Sequence, residues 1–160
     1  MDKKINLLVV DDEEVFLESM KKRLELRGFN VVAANCGKKA LEAADNYPLD
    51  IALLDLKMPG MNGEQILVEL KKKHPAIEVI ILTGHGTINS AIECTREGAY
   101  KYLQKPCELE KMMETLIDAY KFNIMRKKML KEEQMENILK TAKATEPMDI
   151  LRRLMELDNE

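Results

Sequence analysis

Hydrophobic positions along the chain fall into two kinds of pattern. Four short apolar runs, Ile5 to Val10, Val31 to Ala34, Ile51 to Leu54 and Val79 to Leu82, carry little or no polar alternation. They are too brief for helices and read as strands buried on both faces. A fifth, weaker run lies at Tyr100 to Leu103. The segments between them repeat apolar residues at helical spacing: Phe16, Met20 and Leu24 before Gly28, then Ala40, Leu41 and Ala44, then Ile66, Leu67 and Leu70, then Ile88, Ala91, Ile92 and Thr95. Repeated strand-helix alternation predicts a parallel sheet with helices on both faces, because each parallel pair needs a crossover connection. The expected fold class is α/β, a doubly wound domain from about Lys4 to Tyr120.

The last helical pattern continues past the point where such a domain would close. From Leu109 through Met113, Leu116, Ile117, Tyr120 and Ile124 it runs on to about Thr141 without Gly or Pro, and Pro147 is the first breaker. The expected division is a domain at 1–122 and an extension at 123–160. After Ile124 the apolar spacing loses strict heptad register as Lys127, Lys128 and Lys131 intrude, so a helix that dimerises and a solvated extension both stay open. Beyond Pro147, Met148, Ile150, Leu151, Leu154, Met155 and Leu157 have the spacing of a short amphipathic helix.

Composition narrows the function classes. The chain has 160 residues, 46% of them hydrophobic and 33% charged, enough apolar material for one core and a small appendage. No apolar run reaches the roughly 20 residues that a membrane-spanning helix needs, and Met1-Asp2-Lys3-Lys4 leads straight into the first strand, so a cytoplasmic protein is expected. A net charge of −3 argues against direct nucleic-acid binding, which draws on clustered Lys and Arg. The basic run Lys71-Lys72-Lys73 reads as a solvated helix end, and His74 before Pro75 as a surface helix terminus. Cys36, Cys94 and Cys107 are widely spaced and suggest neither a disulfide framework nor a thiolate metal site.

Candidate chemistry gathers at the carboxyl ends of the strands. Asp11 and Asp12 follow the first strand, Asp55 ends the third, Thr83 ends the fourth and Lys105 lies just past the fifth. In an open α/β sheet that edge holds the ligand crevice, so residues scattered along the sequence meet in one pocket. Three carboxylates there repel one another unless a cation neutralises them. Magnesium suits such a site best, with manganese as the alternative, because it uses one or two carboxylates and leaves positions for water and phosphate oxygens. One carboxylate can then attack phosphorus to give an acyl phosphate, while Lys105 and the Thr83 hydroxyl meet the charge on the transferred oxygens.

The strings Leu7-Leu8-Val9-Val10-Asp11-Asp12-Glu13, Leu53-Leu54-Asp55-Leu56-Lys57-Met58-Pro59-Gly60-Met61-Asn62-Gly63, Leu82-Thr83-Gly84 and Lys105-Pro106 resemble the signature blocks of response-regulator receiver domains, in the same order. The resemblance covers about Lys4 to Tyr120 and implies a flavodoxin-like five-stranded sheet of order 2-1-3-4-5. It implies that Asp55 takes a phosphoryl group from a histidine kinase or a histidine-phosphotransfer protein. It also implies a metal held by Asp11, Asp12, Asp55 and the main-chain carbonyl of Lys57, with Asp12 rather than Asp11 as the direct ligand of the acid pair. Tyr102 matches the family's switch aromatic, and the Lys105-Pro106 bond is cis in the family. His85 matches a position that tunes dephosphorylation. Beyond Asn123 no ATPase, winged-helix or helix-turn-helix output domain is recognisable.

Each residue alone has a plainer reading. Asp11 and Asp12 suit the positive end of the next helix, Asp55 a turn, Lys105 a solvated surface, and Tyr102 simple packing. Only their joint placement favours the pocket. On this reading the protein is a phosphoacceptor switch, not an enzyme beyond self-phosphorylation and self-dephosphorylation, with a homodimer through the last helices as a further partner arrangement. A magnesium-dependent phosphohydrolase would typically carry a second acid two residues after the nucleophile, where this chain has Lys57. A constitutive interaction module with an idle pocket is the other alternative.

Overall fold

In the computed structural model, residues 3–141 and 146–159 are described. The predicted ranges also take in 1–2, 142–145 and 160, which lie outside the described residues. The apolar runs become five strands, β1 (Asn6–Val10), β2 (Asn30–Ala34), β3 (Ile51–Leu54), β4 (Glu78–Thr83) and β5 (Lys101–Gln104). They alternate with α1 (Glu14–Leu26), α2 (Gly37–Asn46), α3 (Gly63–Lys73), α4 (Ile88–Arg96) and α5 (Leu109–Thr141), and α6 (Pro147–Asp158) follows. All pairings are parallel and the sheet order is β2-β1-β3-β4-β5. The flavodoxin-like α/β fold and the long last helix are as the sequence predicts.

Side chains alternate across the sheet and so divide the core in two. Leu8, Val10, Leu54, Val79 and Ile81 face α2, α3 and α4, where Ala40, Ile66, Leu67, Leu70 and Cys94 meet them. Leu7, Val9, Leu53, Ile80 and Leu82 face the other way, onto Leu17, Met20 and Leu24 of α1 and Met112, Leu116 and Ala119 of α5. Covering both faces explains why these strands lack polar alternation. In α1 the buried positions are Leu17, Met20 and Leu24, while the predicted core residue Phe16 is only partly buried.

One assignment changes, and the reading of His74 as a helix terminus holds. Lys71 is not merely solvated: its ammonium donates to the carbonyls of Pro75 (3.0 Å) and Ile77 (2.9 Å), because the chain folds back beneath the end of α3. His74 caps α3 through its backbone N–H to Leu70 and also reaches Asp45 on α2 at 3.0 Å.

The chain forms two units, Met1–Asn123 and Ile124–Glu160. The first ends on Asn123, which is fully buried in α5 and donates through Nδ2 to the Ala76 carbonyl at 2.8 Å. In the second, α6 begins with Pro147 at its first turn and leaves Met148, Leu151 and Met155 exposed. Among the described residues no helix is long and apolar enough to cross a membrane.

Gly63 opens α3 against the backbone that follows β3, donating its N–H to the Leu56 carbonyl at 3.0 Å. A Cβ there would lie 2.2 Å from the Asp55 carbonyl oxygen and 2.8 Å from the Leu56 Cα. Backbone cannot yield as a side chain can. Gly63→Ala is expected to lower stability by about 1–3 kcal/mol, seen as a reduced urea midpoint, and an unchanged midpoint would show that the approach is looser.

Candidate functional site

Strand register places the site. Val10 of β1 pairs with Leu54 of β3, and the next residue in each strand direction is an aspartate, Asp11 and Asp55. Their backbones continue the ladder for one step, Asp55 N–H donating to Val10 O at 3.0 Å and Asp11 N–H to Ala34 O at 3.2 Å. Asp55 thus sits one residue beyond β3 instead of inside it. On the other side Thr83 pairs with Gln104, and the Lys105 N–H donates to Thr83 O at 2.9 Å. The Lys105-Pro106 peptide is cis.

The side chains converge. Asp11, Asp12 and Asp55 each offer a carboxylate oxygen within 4.8 Å of the others. Asp11 and Asp55 are buried and Asp12 is exposed. Lys105 Nζ lies 2.5 Å from Asp11 Oδ2 and 3.7 Å from Asp55 Oδ2. Its ammonium also rests 4.0 Å above the centre of the Phe16 ring, a cation–π contact that steadies the lysine from below. Asp11 Oδ1 accepts from the Glu13 N–H at 2.9 Å, which fixes its carboxylate plane and leads the chain into α1.

Three formal negative charges against one ammonium leave two uncompensated, the charge of one divalent ion. Asp55 Oδ1 is buried and has no hydrogen-bond partner. An unsatisfied carboxylate oxygen in that position is costly unless something electropositive meets it. A hard, oxygen-only donor set with an excess of two negative charges fits magnesium.

Thr83 is fully buried at the end of β4, and its Oγ1 accepts the His85 backbone N–H at 3.2 Å. His85 itself is exposed, as is Lys57 in the loop after β3. Tyr102 packs partly buried against the α2–α4 side of the core, with its hydroxyl 3.0 Å from Ser90 Oγ. The structure therefore brings Asp11, Asp12, Asp55 and Lys105 into one cluster and sets Tyr102 at the start of α4. In sequence Phe16 reads only as a core position and Gly63 only as part of a signature block, and Ser90 is not singled out. For Ser90 a signal existed: Thr87 and Ser90 form a capping box at the start of α4, a pattern legible as two hydroxyl residues three apart before an apolar helix.

The fold, with three carboxylates at the carboxyl ends of its strands, defines a doubly wound α/β domain with an acidic edge. The model of the response regulator receiver domain matches residues 7–117, and the chain belongs to that family. A receiver domain protein (CheY-like) from Methanospirillum hungatei superposes with a TM-score of 0.74 at 27% identity, covering 78% of this chain and 99% of that one. The CheX-CheY-BeF3-Mg+2 complex from Borrelia burgdorferi gives a TM-score of 0.68 at 26% identity, over 72% of this chain and 89% of that one. A cyclic di-GMP phosphodiesterase of Thermotoga maritima is 32% identical over 162 residues, 97% of this chain and 44% of that protein. The chain spans 20% to 44% of the length of such curated relatives.

Near the same face, Cys94 lies fully buried in α4. Burial pushes its thiol up to about 11, helped by the carboxylates of Glu64, Glu93 and Glu97. Below that value the thiol is neutral and a poor nucleophile. At pH 8 iodoacetamide should modify the partly exposed Cys36 and Cys107 of the native protein and spare Cys94, as read by peptide mass mapping. Equal labelling of all three would contradict the packing of α4.

Proposed function

We propose that this chain is a phosphorylation-operated switch in which Asp55 is the phosphoacceptor, and that residues 1–122 form the switch while 123–160 carry its effect to a partner or an output region. The observation that carries the reading is the cluster of Asp11, Asp12 and Asp55 around Lys105, with a buried Asp55 oxygen left without a donor.

Asp11, Asp12, Asp55 and the main-chain carbonyl of Lys57 would hold magnesium, or manganese in its place. When bound, the ion supplies the positive charge that lets an anionic phosphoryl group approach these carboxylates. Asp55 attacks phosphorus through a carboxylate oxygen. The new O–P bond forms as the P–N bond of a donor phosphohistidine breaks, and the imidazole leaves with the electron pair. Lys105 already lies within reach of both buried carboxylates, so its ammonium can pass from Asp11 toward a phosphoryl oxygen at little cost in rearrangement. The Thr83 hydroxyl, at the end of the neighbouring strand, donates to another of those oxygens. As Thr83 is drawn toward the phosphoryl group the switch aromatic Tyr102 turns inward, and the face around α4 and β5 presents a different surface to partners.

Several facts support this reading. The family matched is one whose members exchange phosphoryl groups with histidine kinases, and the Borrelia complex is described with beryllofluoride and magnesium. The similarity to the Thermotoga protein extends through the segment after Asn123, which favours a receiver joined by a long helix to a larger regulator over a free-standing one. A histidine kinase or histidine-phosphotransfer protein is the proposed donor, in the cytoplasm, without direct contact to nucleic acid or membrane by this chain. Pairing of two copies through the last helices is compatible with the exposed Ile124, Met125 and Met129.

Incubation with acetyl phosphate and magnesium should add one phosphoryl group to the wild type and none to Asp55→Asn, by intact mass. No adduct should form when magnesium is chelated beforehand. No adduct under any condition would instead favour a constitutive interaction module. Lys105→Ala should keep its fold and its magnesium binding yet lose the conformational response to phosphorylation, followed by tyrosine fluorescence. An unchanged response in that variant would remove Lys105 from the mechanism.

A further inference from the structure

Phe16 stands one position off the buried stripe of α1, where Leu17, Met20 and Leu24 face the sheet. It packs against that core and is only partly buried. The Lys105 ammonium rests over its ring, 4.0 Å from the centre. The loop that carries the acid pair also sets the ring in place. The Glu13 N–H donates to Asp11 Oδ1 and the Leu17 N–H to the Glu13 carbonyl, so the acid pair and the first turn of α1 are bonded together.

An ammonium has three N–H donors and no acceptor. One of the three meets Asp11 Oδ2 at 2.5 Å, Asp55 Oδ2 lies beyond hydrogen-bond reach at 3.7 Å, and the lysine side chain is only 19% exposed. The negative face of the Phe16 ring supplies a further attraction. Neither a carboxylate nor a carbonyl could replace it. A carboxylate in its place would be a fourth negative charge in the cluster, and a hydrogen-bond acceptor would tether the ammonium in one direction. A π-face has no single acceptor direction, so the ammonium can move between Asp11 and Asp55 while it stays over the ring.

Resting on the reading of Asp55 as the phosphoacceptor, we propose that Phe16 is a positioning residue for Lys105: its ring is the platform that keeps the ammonium at the cluster and across which it passes from Asp11 to a phosphoryl oxygen on Asp55. The need for it is greatest once a divalent ion shares the carboxylates. Asp11 and Asp55 then attract the ammonium less, and the two cations repel one another. A lysine stem is long and flexible, and without another hold the ammonium would swing into solvent. The ring has no charge to share and keeps its hold. An incoming anionic group then meets a lysine already in place, and its apparent affinity scales with the fraction of molecules in which that is so. Phe16 therefore acts on the anion through Lys105 and not on the metal.

The experiment places 4-fluoro-, 3,5-difluoro- and 3,4,5-trifluorophenylalanine at position 16 of the full chain. Each fluorine drains the negative face of the ring and leaves its shape almost unchanged. Phe16→Tyr keeps an electron-rich ring, and Phe16→Leu removes it. Two midpoints are measured for each protein: magnesium alone, by tyrosine fluorescence, and beryllofluoride in saturating magnesium, from the ¹⁹F resonances of bound fluoride. The beryllofluoride midpoint should rise with each added fluorine, and by about two- to thirtyfold in Phe16→Leu. Phe16→Tyr should bind as the wild type does. The magnesium midpoint should stay constant throughout.

A beryllofluoride midpoint that stays flat across the fluorinated series would overturn the proposal and leave the switch reading standing. So would magnesium and beryllofluoride midpoints that rise together, since the ring would then support the acidic cluster as a whole. The fluorinated rings carry this test even where Phe16→Leu loses stability. Absence of magnesium-dependent binding to the wild type would overturn both the proposal and the reading it rests on.

Discussion

Everything at the functional edge of this molecule follows from holding three carboxylates within 4.8 Å of one another. Like charges at that spacing do not gather without cause, and two of the three are shielded from water. The sheet imposes the arrangement by parallel register, which places Asp11 and Asp55 side by side as the residues after Val10 and Leu54. Lys105 offsets part of the repulsion, and its own position is set by the ladder bond to Thr83 above and the Phe16 ring below. Removing any of these supports would leave the charges in place with less to balance them. The remainder of the fold can be seen as the scaffold that makes an unfavourable cluster permanent.

That scaffold has two unequal faces. The α1 and α5 side packs Leu24, Met112 and Leu116 fully away from water. On the other side α4 buries only Cys94 among its own residues and keeps Ile88 and Ile92 exposed. A helix so lightly held can change its placement at low cost, and α4 is also where the Tyr102 hydroxyl meets the cap. A strongly charged site fixed by the sheet beside a weakly anchored helix is a layout that suits the proposed phosphorylation switch.

Much of this was readable before any coordinates. The strands declared themselves because burial on both faces removes polar alternation, and the functional edge because Asp11, Asp12, Asp55, Thr83 and Lys105 all fall at strand ends. The long last helix was legible from the absence of Gly and Pro between Leu109 and Thr141. What stayed hidden depends on contacts between residues distant in sequence. Phe16 has the spacing of a core position, and only the return of Lys105 over its ring gives it another role. Lys71 looked like any lysine at a helix end until the chain turned its backbone carbonyls toward it. Asp50 and Glu78, both buried, lie just before β3 and at the first position of β4, where sequence offers no sign that a carboxylate is enclosed. Gly86 reads as an ordinary loop glycine, and the aromatic that needs its space lies sixteen residues further on.

The central claim is that one carboxylate, at position 55, becomes an acyl phosphate. Such a bond is reduced by borohydride to an alcohol, which marks the acceptor permanently. The protein would be treated with acetyl phosphate and magnesium, reduced with borohydride and digested, and its peptides sequenced by mass spectrometry. Homoserine at position 55, and aspartate unchanged at positions 11 and 12, is the predicted result. Homoserine at position 11 or 12, or at none of the three while the intact protein carries a phosphoryl group, would contradict the account.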